Sequence, residues 1–216
     1  MEFVDLSVPL SSKSPAYPGD PASDISTESE IYDGVKITHT HVSSVMHIGT
    51  HMDAPLHMIE NGKMLSDYPA SRFFGRGVLV EAVGKKSIEP ELLEKIDIQK
   101  GDIVLVRTDH INNSAKLDYF DNNPVISNEF AQAVAKNSPS ILGLDTFSPD
   151  NHPYETHKIL LGNDVLIIEN LCNLERLAGK KFEVIALPVN FDKTEAAFCR
   201  VVARIFANNE SQWMRI

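Results

Sequence analysis

Only two of the 216 residues are cysteine, Cys172 and Cys199. They lie far apart and form no C-x-x-C pair, which excludes a disulfide scaffold. One bridge between them stays open, but two reduced, buried thiols are the expectation, as in a cytoplasmic protein. Long apolar runs are missing as well. Stretches such as Val165–Ile168 fall far short of the roughly 20 residues a membrane-spanning helix needs. The opening Met1-Glu2-Phe3-Val4-Asp5 has no basic or apolar leader pattern, so no secretory signal is expected. Positive charge is scarce, with 20 Lys and Arg against 30 Asp and Glu and a net charge of −10. That balance argues against nucleic acid or an anionic membrane as a partner. Several catalytic signatures are also absent: no G-x-S-x-G elbow, no P-loop and no H-E-x-x-H. Gly75-Arg76-Gly77 lacks a third glycine and precedes a strand rather than opening a helix, so it is no dinucleotide site.

What remains is a chain with 43% hydrophobic residues and no repeat, low-complexity tract or Gly/Ser linker. A single domain over residues 1–216 is expected. A chain of this length buries a sufficient core without metal or disulfides, so any metal it holds is there for chemistry. Phe3–Val8 reads as an opening strand, followed by a stiff loop from Pro9 to Pro21. Val35–Val42 alternates as a strand does. Val78–Val83, Ile103–Thr108, Ile141–Asp145 and Val165–Glu169 are apolar runs suited to strands. Glu183–Pro188 and Cys199–Phe206 supply the last two. Helices are expected at Glu89–Ile96, at Ser127–Lys136 with Ser127 as N-cap, and at Glu155–Leu161, ended by Gly162. Strands alternating with short helices give an α/β class with a mixed sheet.

Residues 1–60 hold nine acids against Lys13 and Lys36, and five of the eight histidines. The informative segment within them is His47-Ile48-Gly49-Thr50-His51-Met52-Asp53-Ala54-Pro55-Leu56-His57. Imidazole and carboxylate are the usual ligands of catalytic divalent ions. His47, His51 and Asp53 stand at i, i+4 and i+6. A helix would bring only the first two onto one face, whereas an extended chain points all three, and His57, the same way. Gly49 and Pro55 oppose either regular form throughout. The expectation is a strand end running into a compact turn that folds the three onto one ion, leaving positions open for water and substrate. His39 and His41 read instead as solvent-facing residues of a strand. Most acids of this region, such as Glu28, Glu30 and Asp33, read as solvated loop groups. Glu169 ends a buried strand, where α/β proteins place functional groups, although a solvent-facing charge suits that position equally. His157 is weaker by itself, and Asp145 is either a supporting partner or the N-cap of a turn.

Several blocks in order along the chain resemble one family. Asp5-Leu6-Ser7-Val8-Pro9-Leu10 and Tyr17-Pro18-Gly19-Asp20 look like its N-terminal signature. The His47-to-His57 segment looks like its metal and base motif. Gly143-Leu144-Asp145-Thr146 and His157 through Ile168-Glu169-Asn170-Leu171 look like its later blocks. The family is that of the metal-dependent cyclase-like hydrolases, which include bacterial kynurenine formamidase (arylformamidase) and isatin hydrolase. The resemblance implies a swivelling β/β/α-type α/β domain with a mixed sheet and short flanking helices. It implies that His47, His51 and Asp53 bind one metal, and that Asp53 bridges to a second held by His157 and Glu169 in members with two. Zn²⁺ or Mn²⁺, one or two per subunit, would fill the site. His57 would be the proton acceptor and donor. Tyr17 would contact the substrate's aryl ring, where formamidases typically have Trp. A small, aromatic substrate and a homodimer or homotetramer with active sites near subunit contacts are the implied partners.

Three readings follow. The first is a metal-dependent hydrolase cleaving the amide C–N bond of an aryl formamide, like N-formylkynurenine, or of a cyclic amide. The second is a metal-dependent cyclase or dehydratase on a polyketide-like substrate. The third is a non-catalytic protein that binds metal through its histidine cluster.

Overall fold

Ile103-Val104-Leu105-Val106 is apolar at every position because both faces of its strand are covered. Ile103 and Leu105 point into one core, and Val104 and Val106 into another. The same division runs through the fold of the protein, taken from a computed structural model that describes residues 1–206. The last ten residues of the expected 1–216 domain lie outside the described residues.

In chain order the strands are β1 (Glu2–Asp5), β2 (Asp24–Tyr32), β3 (Val35–Ser43), β4 (His51–Asp53), β5 (Phe74–Glu81), β6 (Ser87–Ile88), β7 (Ile103–Arg107), β8 (Val125–Ile126), β9 (Ile141–Leu144), β10 (Leu166–Glu169), β11 (Phe182–Pro188) and β12 (Ala196–Ile205). Two α-helices, α1 (Asn128–Ala135) and α2 (Glu155–Gly162), stand among them. The main sheet runs β1-β12-β11-β5-β7-β9-β10-β4 and closes where β4 also pairs with β12. β5, β7, β9 and β10 are parallel neighbours, while β4, β11, β12 and β1 join antiparallel. The sheet is therefore mixed, as the α/β class required.

The closed sheet encloses Val4, Leu6, Met52, Leu105, Ile168, Phe182 and Val201. On its outer face, Val104, Leu142, Leu144 and Ile167 pack against Phe130 and Val134 of α1 and Leu160 and Leu161 of α2. The Ser127 hydroxyl accepts the Phe130 N–H at 3.2 Å, the expected N-cap of α1. No helix among the described residues is long and apolar enough to cross a membrane.

Several local expectations change. The opening strand stops at Asp5, and Ser7 continues only as a single bridge to Leu171. Glu89–Ile96 forms only a 3₁₀ turn, Pro90–Leu93: Leu92, Leu93 and Ile96 pack half-buried on the outer core, but so short a segment does not offset the cost of helix nucleation. Gly162 is the last residue of α2 rather than its stop. β2 has no apolar alternation of its own, yet pairs along its full length with β3. Glu28 and Glu30 therefore lie on a strand, where His41 and His39 face them at 3.0 and 3.7 Å in the open. Cys172 and Cys199 are unpaired.

Candidate metal centre and substrate pocket

The three-residue strand β4 is wedged between two neighbours. His51 lies opposite Glu169 of β10 and Phe198 of β12, and Asp53 opposite Ile167 and Ala196. Alternation sends Met52 into the enclosed core and turns His51 and Asp53 to the other face. The expected strand running into a turn is present, β4 leading into the 3₁₀ turn Pro55–His57, but a further turn over 46–50 precedes the strand and carries His47. Gly49 sits in that first turn at φ +60°, where any side chain would be strained. Thr50 clamps the turn, its hydroxyl donating to Asn170 O at 2.7 Å and accepting the Val8 N–H at 2.9 Å. Glu169 ends β10, and His157 lies in the first half of α2.

These elements bring the ligand-type residues into one chain of contacts. His47 Nδ1 lies 3.0 Å and His51 Nε2 3.5 Å from the same oxygen, Asp53 Oδ1. His51 Nε2 is also 3.3 Å from Glu169 Oε2, and Glu169 Oε1 is 3.5 Å from His157 Nε2. The His57 ring stands 4.1 Å from that of His47 and 5.7 Å from that of His157. Two groups have ligand atoms within 4.8 Å of one another, His47–Asp53–His57 and His51–Asp53–Glu169, and Asp53 belongs to both.

Whether these residues fit a metal can be judged from their hydrogen bonds. His51 and Asp53 are wholly buried. The His51 Nδ1–H donates to Gly49 O at 2.8 Å, which leaves Nε2 aimed at the carboxylates. That Nε2 and both Asp53 oxygens make no aligned hydrogen bond, although His47 Nδ1 stands 3.0 Å from Asp53 Oδ1. Polar atoms so placed cost stability unless something completes them. A divalent cation would complete all three, and imidazole with carboxylate is a donor set suited to zinc or manganese. The residues fit.

Without an ion, the cluster holds protons instead. Burial works to lower the His51 pKa, but Asp53 and Glu169 overcome it and hold it up at about 9. For His157, burial is likewise overcome by hydrogen bonds from its ring to Asp150 and Glu169, which raise it to about 10. Burial alone would raise Asp53, yet the facing His51 and His47 hold it well below the usual carboxylate range. His57 differs: burial lowers its pKa, and Asp53 only partly opposes the shift. It is the imidazole of the cluster kept neutral and able to accept a proton.

Above the cluster lies a cavity of about 320 Å³ whose floor includes His47, His57, His157 and Glu169. Tyr17, in the turn closed by Asp20 N–H to Tyr17 O at 2.9 Å, forms one wall. Its ring centroid is 5.9 Å from those of Phe120 and Phe147, which are 4.8 Å apart. Phe120, Phe147 and Tyr119 escaped sequence reading because they come from irregular segments with no periodic or ligand pattern. Asp145 neither supports a ligand-type residue directly nor caps the turn that follows it. Its carboxylate accepts the Thr108 N–H and hydroxyl and the Asp109 N–H at 2.6 to 3.0 Å, pinning the end of β7. His110, buried and stacked on Tyr119 at 4.7 Å, donates its Nε2–H to Tyr119 O and backs the pocket wall. Two further carboxylates carried no signal in the sequence: Glu195, 3.5 Å from His47 Nε2, and Asp150, 2.6 Å from His157 Nδ1.

A family model described as putative cyclase matches residues 4–151. A kynurenine formamidase of Bacillus cytotoxicus is 27% identical over 208 residues, 94% of this chain and 97% of the relative. Among solved structures, a "predicted metal-dependent hydrolase" from Bacillus stearothermophilus has a TM-score of 0.78 at 26% identity, over 94% of this chain and 97% of that one. Isatin hydrolase A from Labrenzia aggregata has a TM-score of 0.79 at 24% identity, over 94% and 93% of the two chains.

Proposed function

The chain belongs to the putative cyclase family, and from that premise we propose that it is a metal-dependent hydrolase cleaving the amide C–N bond of an aryl formamide or a cyclic amide. One observation carries the reading: buried His51 Nε2 and Asp53 oxygens, without an aligned hydrogen bond, lie beneath a cavity walled by aromatic rings. His47, His51 and Asp53 would hold one divalent ion, Zn²⁺ or Mn²⁺, and His157 and Glu169, with Asp53 shared, would hold a second. When bound, the ion supplies Lewis acidity, which makes water more acidic and polarises a carbonyl.

The chain's own side chains do the rest. Tyr17, Phe120 and Phe147 hold the aryl ring and exclude water from it. His57, neutral and facing the cavity, takes a proton from the attacking water. A C–O bond forms at the carbonyl carbon, the C–N bond breaks, and His57 returns the proton to the leaving nitrogen. The nearness of His57 to both halves of the cluster suits this double role.

The same reading takes the protein as one domain acting as a homodimer or homotetramer. The β2–β3 ribbon supports a subunit contact. Its Ile31, Tyr32, Val35 and Val42 are exposed, and a two-stranded ribbon in water has little stability of its own. The unpaired cysteines support a reducing compartment, the cytoplasm.

The test is turnover of N-formylkynurenine, isatin and related cyclic imides by metal-stripped protein, with and without added Zn²⁺ or Mn²⁺. Metal-dependent hydrolysis of at least one is expected. No hydrolysis across the panel would overturn the proposal and favour ring closure or dehydration.

A further inference from the structure

Three histidines of the cluster each direct one ring nitrogen toward Asp53 or Glu169, and each has a different oxygen behind it. His51 is oriented by the Gly49 carbonyl at 2.8 Å, part of the chain itself. His47 has Glu195, at 3.5 Å and half exposed. His157 has Asp150, whose Oδ1 accepts its Nδ1–H at 2.6 Å in a buried setting.

Asp150 does more than touch the ring. The residue before α2, Tyr154, offers no side-chain cap to the helix. Asp150 Oδ2 fills that place, accepting the Thr156 N–H at 2.7 Å and the His157 N–H at 3.1 Å. Its own backbone is held in turn, with the Ser148 hydroxyl donating to Asp150 O at 2.8 Å. One carboxylate thus fixes both the main chain and the ring of His157. With Nδ1–H committed to Asp150, Nε2 is the ring nitrogen left to face Glu169 Oε1, 3.5 Å away, and the one free to give up its proton to a cation. A neutral imidazole without that partner could carry its proton on either nitrogen and turn its ring, and an outer carboxylate removes both freedoms.

We propose that Asp150 is a positioning residue that makes the His157–Glu169 half of the cluster competent to hold its own divalent ion, and so sets how many ions each site takes. The proposal rests on the metal reading above. The His47–His51–Asp53 half has its own orienting oxygens and does not depend on Asp150.

Metal-stripped protein titrated with Mn²⁺, with free ion followed by electron paramagnetic resonance, separates the two halves. Wild type should take two ions per chain. D150N should keep the first unchanged and weaken the second by about 10- to 100-fold, the usual cost of losing an outer-shell partner. H157Q should abolish the second ion, and D150N/H157Q should look like H157Q alone. Because D150N also disturbs the start of α2, D150S serves as a second variant. Its hydroxyl oxygen sits one bond nearer the backbone than either carboxylate oxygen, so it should lose the second ion as D150N does, while an unchanged affinity for the first ion shows that the fold persists. Unchanged binding of both ions in D150N and D150S would overturn the proposal. So would equal weakening of both ions, or a wild type that takes only one. A wild type that takes none would overturn the metal reading itself.

Discussion

Replacing His57 with alanine probes the chemistry without disturbing the fold. His57 closes the 3₁₀ turn Pro55–His57, and its N–H donates to Ala54 O at 2.9 Å, a bond that alanine keeps. The side chain is half buried and leaves no buried partner behind, so the stability cost should stay within about 1 kcal/mol. Catalysis should suffer far more. Loss of a positioned acid–base group costs about 10²- to 10⁴-fold in kcat, or about 3 to 5 kcal/mol at 1.36 kcal/mol per decade. The pH profile adds a second readout. The shift of the His57 pKa is downward, so wild-type kcat/KM should hold through neutrality and fall on the acid side only below the ordinary imidazole value of about 6.5. The residual activity of His57→Ala should lack that limb. The assay is steady-state hydrolysis alongside metal content by atomic emission. Turnover within a few-fold of wild type would refute the base assignment. Loss of an ion together with activity would refute it differently, making His57 a ligand beside His47 and Asp53, whose ligand atoms lie within 4.8 Å.

Asp53→Asn should weaken every ion, since both ligand groups share Asp53, and by more than the ~10- to 100-fold that an outer partner is worth; calorimetric titration reads it. In metal-free protein, His51 and His157 have pKa values raised to about 9 and 10, so their stabilisation is complete below pH 6.5 and lost as pH rises through those values. The unfolding temperature of chelator-treated protein should therefore fall between pH 7 and 10, and Zn²⁺ added at pH 7 should release protons; a flat or rising profile would contradict the charge assignments. Phe147→Ala removes ring contacts with Tyr17 and Phe120. At 0.5 to 1.5 kcal/mol per aromatic pair it should raise KM for aryl substrates roughly threefold to tenfold, with kcat less affected. Ser127→Ala should cost about 1 kcal/mol in denaturant unfolding through the lost α1 cap.

The parts of the site that could be read from the sequence are those whose geometry is local. His47, His51, Asp53 and His57 fall within eleven residues, and alternation on an extended chain was enough to group them. The buried strands around Ile103 and Leu166 were legible for a similar reason, since strands covered on both faces stay apolar throughout. What escaped depends on distant pairing. Glu169 meets His51 only because β10 and β4 pair antiparallel in one register, and nothing in the Val165–Asn170 run distinguishes that from a solvent-facing strand end. Asp150 reaches His157 across seven residues of irregular chain and one helix start, a spacing with no recognisable period. β2 was missed because its stability comes from pairing with β3 rather than from a buried face. The Glu89–Ile96 helix failed for a different reason: the local signals, including proline and acids at the first turn, span too few residues to offset helix nucleation, although Leu92, Leu93 and Ile96 pack on the outer core.

The buried cluster around Asp53 should be a metal centre. Crystals grown with Zn²⁺ and measured for anomalous scattering at the zinc edge would locate the ion. A peak is expected at ~2.0–2.2 Å from His51 Nε2 and an Asp53 oxygen, within reach of His47. An empty map there, with His51 and Asp53 instead hydrogen-bonded to each other or to water, would contradict it.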